Sequence, residues 1–585
     1  MLGFVSLLLD AQYIKNSVTL NSMGAYLVPA SVPQLLFSVF VLFVAYGLLK
    51  LFQLIASEIT SPIRDLPGPP SKSFLFGNIN EMKAEDAVLE KYVAKYGDTI
   101  KYQDMLGVTR LCTVDLKAIN HVLMHSNDYQ KPEPAIYHVK RIIGQGVLLV
   151  EGDVHKQQRK ILNPAFGTPQ IRQLTEIFVD KAIELRDVWN SEIQKQNKSS
   201  GEGIVDAMSW LSRMTLDVIG RAGFDYDFQA LSSEHSKNEL NRAFETLYNA
   251  TMSFDVIPAI RSLVPPLRFL PAPGDSRLKQ AKDTVFRIGG ALLERSKKNA
   301  FAYGKSNTDR DILSLLTRAN MDPDVPTNQR MSDEDVLSRS CSTALCTMQQ
   351  LAYWAYGVLE IPTFLFAGHE TTSTGTTWAL YELSQHKDIQ SKLREELLSV
   401  PTDNPSMDEL NELHYLDNVV RESLRLHPPI PGTLRVAMKD DYLPLSKPFK
   451  DRNGVLRHEI RIVKGQTFTI PIRAINRAES TWGKDAIEFN PDRWDNLPET
   501  VSAIPGVWGH LMSFLGGPRS CIGYRFSLIE MKALLFTLIR AFEIDLAVPP
   551  DEIKGTMGLI RRPIVTSDLA NPNQLPIIIR PVVQS

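Results

Sequence analysis

The stretch Ser513–Ser527, SFLGGPRSCIGYRFS, places one of only four cysteines in a glycine- and proline-containing turn, just ahead of a run that reads as a helix. A thiol held at a helix N-terminus meets unpaired backbone N–H groups and the positive end of the helix dipole. Both are expected to lower its pKa and favour the thiolate. Gly517 and Gly523 allow backbone angles and a close approach that side chains would resist. Arg519 offers a fixed cation to an anionic ligand. These residue types suit a thiolate ligand to a metal carried by an anionic cofactor; the alternative for a lone cysteine is an inert buried thiol.

Other stretches carry chemistry too. In FLFAGHETTSTGTTWALYEL, Phe364 to Leu383, an apolar helix is interrupted by Gly368, Glu370 and a run of hydroxyl residues. Hydroxyl side chains inside a helix can bond backbone carbonyls and bend the ladder. Glu422 and Arg425 stand three apart and so share a helix face, and FNPDRW follows them with Arg493. HKQQRK holds His155 and Arg159, and PPIPGTLRVA holds Arg435.

The spacing of Phe514, Gly517, Arg519, Cys521 and Gly523 resembles the F-x-x-G-x-R-x-C-x-G haem loop of the cytochrome P450 family. The resemblance implies that Cys521 is the axial ligand of haem b iron, that Arg519 pairs with a haem propionate, and that Phe514 packs beside the sulfur. Ala367 to Thr371 resembles the family's A-G-x-[DE]-T pattern, which implies that Glu370 and Thr371 relay protons on the distal side. Glu422, Arg425 and Arg493 resemble the E-x-x-R helix and its meander partner, implying a buried structural cluster with no part in catalysis. Arg159 matches the arginine of a W-x-x-x-R propionate helix, while His155 stands where the tryptophan would be. Arg435 resembles a strand arginine that also reaches a propionate.

The elements that must position these residues read as follows. Residues 1–31 form an N-terminal extension, and 32–55 a membrane anchor. The run VPQLLFSVFVLFVAYGLLK carries no charge before Lys50, is about long enough to cross a bilayer, and leads into a basic flank at Arg64 and Lys72. LPGPPSKSFLFGN, Leu66 to Asn78, is a proline-glycine hinge that cannot be helical. The body, 56–585, reads as mainly α with a smaller β-rich part. Helices are expected in GTPQIRQLTEIFVDKAIELRDVWNSEI, in SRLKQAKDTVFRIGGALLERSKK, in SMDELNELHYLDNVVRESLRLHPP, and at MSDEDVL with Ser332 and Asp335 as a capping box. Strands are expected after residue 430, as in EIRIVKGQTFTIPI. This is the cytochrome P450 fold that the resemblance implies.

Composition narrows the class. With 64 basic and 66 acidic residues the net charge is −2, which gives no global attraction to nucleic acid. Four cysteines in 585 residues do not make a disulfide framework. Asn197 and Asn249 match a glycosylation acceptor pattern that a cytosolic body would leave unused.

The stretch Ser338–Leu359, SRSCSTALCTMQQLAYWAYGVL, interrupts the join expected between MSDEDVL and EIPTFLFAGHETT, and Val-Leu stands both before it and at its end. It reads as translated intron or another gene-model artefact; a genuine insert forming an extra helical turn or surface loop is the alternative. The expected activity is insertion of one oxygen atom from O2 into an apolar small molecule, a terpenoid or aromatic compound, on a single-pass protein of the endoplasmic reticulum with its body in the cytosol. A separate NADPH-cytochrome reductase supplies the electrons, and Arg525, Lys532 and Arg540 are candidates to meet it. The competing readings are a haem-thiolate isomerase or dehydratase that does not use O2, whose relatives often lack the acid–threonine pair, and an inactive product disabled by the 338–359 stretch.

Overall fold

A computed structural model describes residues 32–144, 146–196, 201–232, 239–240, 242–243, 246–247, 256–303, 311–314, 345–451, 453–556 and 558–582. The chain divides into two units, Met1–Thr60 and Ser61–Ser585. In the first, α1 (Val32–Ile59) is a helix of 28 residues. Phe37, Phe40, Leu42, Leu48 and Phe52 stand exposed along it. The expected segment 32–55 is thus helical, yet among the described residues no helix is long and apolar enough to cross a membrane.

The second unit is mainly helical. Two of its helices, α2 (Leu116–Met124) and α3 (Gly152–Leu162), stand beside the cysteine loop's partners. Four long or central helices build the main core: α4 (Thr168–Gln196), α5 (Ala207–Phe224), α6 (Leu345–Gln385) and, further along, α9 (Tyr524–Ala541). Between them in sequence lie α7 (Lys387–Leu398) and α8 (His414–Leu426). Trp189, Phe178, Trp378 and Phe536 are fully buried in that core. A second core covers the mixed sheet β1 (Thr99–Gln103), β2 (Thr109–Thr113), β3 (Tyr129–Gln130), β5 (Thr433–Ala437) and β8 (Thr467–Ile470), ordered β1-β2-β8-β5-β3. Only β2 and β8 pair in parallel. A smaller sheet orders β4 (Gly203–Asp206), β12 (Pro576–Pro581) and β9 (Phe542–Leu546), while β6 (Asp441–Lys450) with β7 (Leu456–Ile462) and β10 (Ile553–Gly555) with β11 (Pro563–Val565) form hairpins.

The long helical expectations hold, with one division. SMDELNELHYLDNVVRESLRLHPP is two helices, Met407–Glu412 and α8, parted at Leu413, whose φ is −75° and ψ 95°. The cause is electrostatic: the Glu396 carboxylate of α7 accepts the N–H groups of Tyr415 and Leu416 at 2.7 and 2.8 Å, which caps a new helix start. The first of the two carries a capping box of Ser406 and Glu409. The hinge at Leu66–Asn78 is non-helical, and Gly68 lies so close to β1 that a Cβ there would fall 1.9 Å from the Lys101 carbonyl oxygen. α6 runs 41 residues with Pro362 inside it, and so takes up 345–359 of the interrupting stretch. Residues 338–344, the box at Ser332 and Asp335, Asn197 and Asn249 lie outside the described residues.

Candidate active site

The cysteine loop is closed by its own backbone. Cys521 N–H donates to the Phe514 carbonyl at 2.9 Å, and Ser520 N–H to that of Gly517 at 3.1 Å. Gly517 holds φ at +67°, and a Cβ there would stand 2.8 Å from the Leu123 carbonyl of α2. Gly517→Ala is expected to cost about 1–3 kcal/mol of stability, read as a lowered melting temperature. Gly523 is the cap of α9, with the Phe166 ring 3.8 Å from where its Cβ would lie. Phe514 packs on Trp508 and Tyr524, ring centroids 5.8 and 6.1 Å away.

The Cys521 side chain opens toward solvent. Even so, loss of hydration raises its thiol pKa, against the opposing pull of the Gly523 N–H and the Arg159 charge. The expected lowering by the helix terminus is outweighed in the metal-free protein, because the surroundings remove more water than the N–H groups replace. Among the described residues no group of three or more His, Cys, Asp or Glu side chains could hold a metal ion. One thiol therefore fits a metal that brings its remaining ligands with it.

Beside the thiol is a cluster of cations with too little negative charge. Arg519 donates to the Val150 carbonyl at 2.7 Å and pairs with Glu151. Lys131 also reaches Glu151, at 3.3 Å. Arg159 donates to the Ser520 carbonyl at 2.5 Å and to Asn163 Oδ1 at 2.8 Å. Arg435 is 3% exposed and donates only to Thr433 Oγ1 and the Leu434 carbonyl, each at 2.7 Å. It has no acidic partner among the described residues. Burial lowers Arg435 and Arg519 each to about 10. Burial, with Lys131 and then Arg159, pushes buried His155 down to about 4, so it stands neutral. These residues fit a ligand carrying carboxylates, as the two propionates of haem would be.

Lys131 belongs to the cluster and escaped the sequence reading, since one lysine in YQKPEPA carries no motif. Burial first, then Arg519 and Arg435, lower it to about 6. Its folded pKa lies below the unfolded 10.5, so it costs stability as pH falls through that window, and a bound anion would remove the cost. Lys131→Met is therefore expected to raise the melting temperature of the haem-free protein at pH 7. It should also speed haem transfer to apomyoglobin roughly tenfold, the scale of one charge-assisted contact.

The scaffold beneath the loop follows the E-x-x-R expectation and extends it. Glu422 takes Arg425 in a bidentate pair, both contacts 2.8 Å, and Arg493 Nε at 3.0 Å; all three are buried. Trp494 Nε1 and the Asn490 N–H complete the carboxylate at 3.1 and 3.0 Å. Arg425 then donates to the Asn476 carbonyl at 3.0 Å. Asn476 in turn holds the cysteine loop, accepting the Met512 N–H at 3.0 Å and donating to Ser513 Oγ at 2.9 Å. Asn476 and Ser513 were not foreseen, because a buried amide has no spacing signature.

On α6, Thr371 Oγ1 donates to the Ala367 carbonyl at 2.7 Å. Glu370 is buried between two partners: Arg562, in direct contact with Oε2, and His369, whose Nε2 lies 2.9 Å from Oε1. Burial by itself would raise the Glu370 pKa, but Arg562 and then His369 outweigh it and hold the carboxyl near about 2. The expected docking cations need correction. Lys532 is buried on Asn411 and Asp417, and Arg540 is spent on the carbonyls of Leu397, Val400 and Thr402. Only Arg525 is exposed, because the polar face of α9 packs against neighbouring helices.

The sequence model described as Cytochrome P450 matches residues 67–343 and 358–566. "Cytochrome P450 monooxygenase 205" of Postia placenta is 48% identical over 557 residues, 94% of this chain and 98% of that relative. "Cytochrome P450 monooxygenase 128" of the same fungus is 46% identical, over 92% of this chain and 96% of that relative. "Cytochrome P450 monooxygenase claP" of Ampulloclitocybe clavipes is 35% identical, over 84% of this chain and 87% of that relative. The chain belongs to the cytochrome P450 family. It is an oxidoreductase of the monooxygenase kind, with haem b as its cofactor.

Proposed function

We propose that this enzyme inserts one atom of O2 into an apolar small molecule of terpenoid or aromatic type, with electrons supplied by a separate NADPH-cytochrome reductase. When bound, haem supplies the oxygen chemistry. The chain's residues do the rest. Cys521 Sγ holds the iron, Phe514 covers the sulfur, and Gly517 and Gly523 leave room for the ring. Arg519, Arg435, Arg159 and His155, joined by Lys131, bind the carboxylates. Glu370 and Thr371 hold and pass protons. Glu422, Arg425 and Arg493 keep the loop in place.

The observation that carries the reading is the free thiol of Cys521 in a glycine turn, with Arg159 acting on it and a buried arginine, Arg435, in the same cationic cluster that no acidic side chain balances among the described residues. The reductase partner is supported by the exposed Arg525 near the thiol. Membrane attachment at the endoplasmic reticulum is supported by α1, 28 residues with exposed aromatic and aliphatic side chains. The reading of 338–359 as an artefact or insert is supported by the break in the family match at 344–357. A reduced carbon-monoxide difference spectrum tests the thiolate. NADPH consumption with reductase and a terpenoid and polycyclic-aromatic library tests the reaction, and turnover without O2 or NADPH would overturn it.

A further inference from the structure

Glu151 is the N-cap residue of α3, a position whose side-chain oxygen usually accepts an unpaired N–H of the first turn. It makes no such bond. Its carboxylate is engaged instead between two cations of the cluster beside the cysteine loop. Oε1 accepts the Lys131 backbone N–H at 3.2 Å and the Lys131 ammonium at 3.3 Å. Oε2 pairs with the Arg519 guanidinium. Among the described residues no other acidic side chain pairs with Lys131, Arg519, Arg159 or Arg435. The Glu151 and Arg519 side chains are only 14% and 7% exposed, so salt screens their attraction little.

Electrostatics gives this carboxylate two opposed effects. Cations gathered in one place repel, and a single acid among them lowers that cost in the chain by itself. The same negative charge repels any second carboxylate drawn to Lys131 and Arg519, and it takes up part of their donor capacity. We propose that Glu151 is a built-in competitor of the cofactor's carboxylates, steadying the cation cluster while weakening its hold on haem. This rests on the reading above that the cluster binds those carboxylates. Removing the charge destabilises the chain without haem more than the chain with it, because the cofactor's own carboxylates then balance the cations. Whatever costs the free state more than the loaded state raises affinity. A residue that merely supported the loop would act in the opposite direction, since haem leaves a loosened site faster.

The test is Glu151→Gln, which keeps the size of the side chain and removes its charge. Haem transfer from the full-length loaded enzyme to apomyoglobin is expected to slow roughly tenfold, the low end for one hydrogen bond to a charged group. The melting temperature of the haem-free chain should fall, while that of the loaded enzyme should hold or rise. The direction is opposite to that expected for Lys131→Met, which removes a cation and speeds transfer. Transfer at the wild-type rate or faster overturns the proposal and leaves Glu151 a support of the loop. Should Glu151→Gln not accumulate as loaded enzyme, the same substitution is compared within the Lys131→Met background, where one cation fewer needs pairing. Slower transfer there supports the proposal, and an unchanged or faster rate overturns it. A wild-type protein without a thiolate-type carbon-monoxide spectrum would instead sink the haem reading itself, so the two failures are distinguishable.

Discussion

Cys521→Ser leaves the protein without a thiolate-type carbon-monoxide spectrum and with product formation at background. A serine hydroxyl is close in size, so the loop closed by the Cys521 N–H on Phe514 should survive, and folding should not confound the result. What disappears is the soft, ionisable sulfur, the one protein atom at this site that suits iron. The structure adds a reason for a complete effect. Lost hydration raises the thiol pKa in the metal-free protein, and a metal that takes the sulfur displaces its proton. A hydroxyl, far less acidic, cannot do the same. The checks are the difference spectrum, haem content per chain and product yield with reductase. Retention of both cofactor and turnover would contradict the assignment.

The second large effect lies away from the chemistry. Glu422→Gln leaves Arg425 and Arg493 buried without their shared carboxylate and is expected to cost about 3–5 kcal/mol. The loss should exceed that of any exposed pair, such as Lys156 with Asp153, whose removal is worth under about 1 kcal/mol. Because Arg425 reaches the cysteine loop through Asn476, haem content should fall together with the melting temperature. A double variant, Glu422→Gln with Arg425→Met, removes the stranded charge and should recover part of the stability. Denaturant unfolding of the two variants measures this. Equal stability in Glu422→Gln and the wild type would show that the cluster does not hold the scaffold.

Asn476 shows how such connections escape a linear reading. Its amide and carbonyl join two motifs that sequence treats separately, the E-x-x-R helix and the cysteine loop, yet nothing in RAINRAES marks it. The same holds for Lys131 and Arg562, which act by facing charges far away in the chain. The docking cations failed for the opposite reason. Arg525, Lys532 and Arg540 look alike along α9, but two of them turn into a packed junction where carboxylate and carbonyl partners await them.

By itself the sequence determined which atoms are available: one thiol in a glycine turn, an acid beside a hydroxyl on an apolar helix, and a Glu and Arg on one helix face. It also determined the long helices, because apolar residues at three- and four-residue spacing bury only in that form. Tertiary structure decided how those atoms are charged. Whether Cys521 is a thiolate, whether Glu370 is an acid, and which cations stay free depend on water excluded and charges brought near by distant segments. Those terms arise only once the chain has closed on itself.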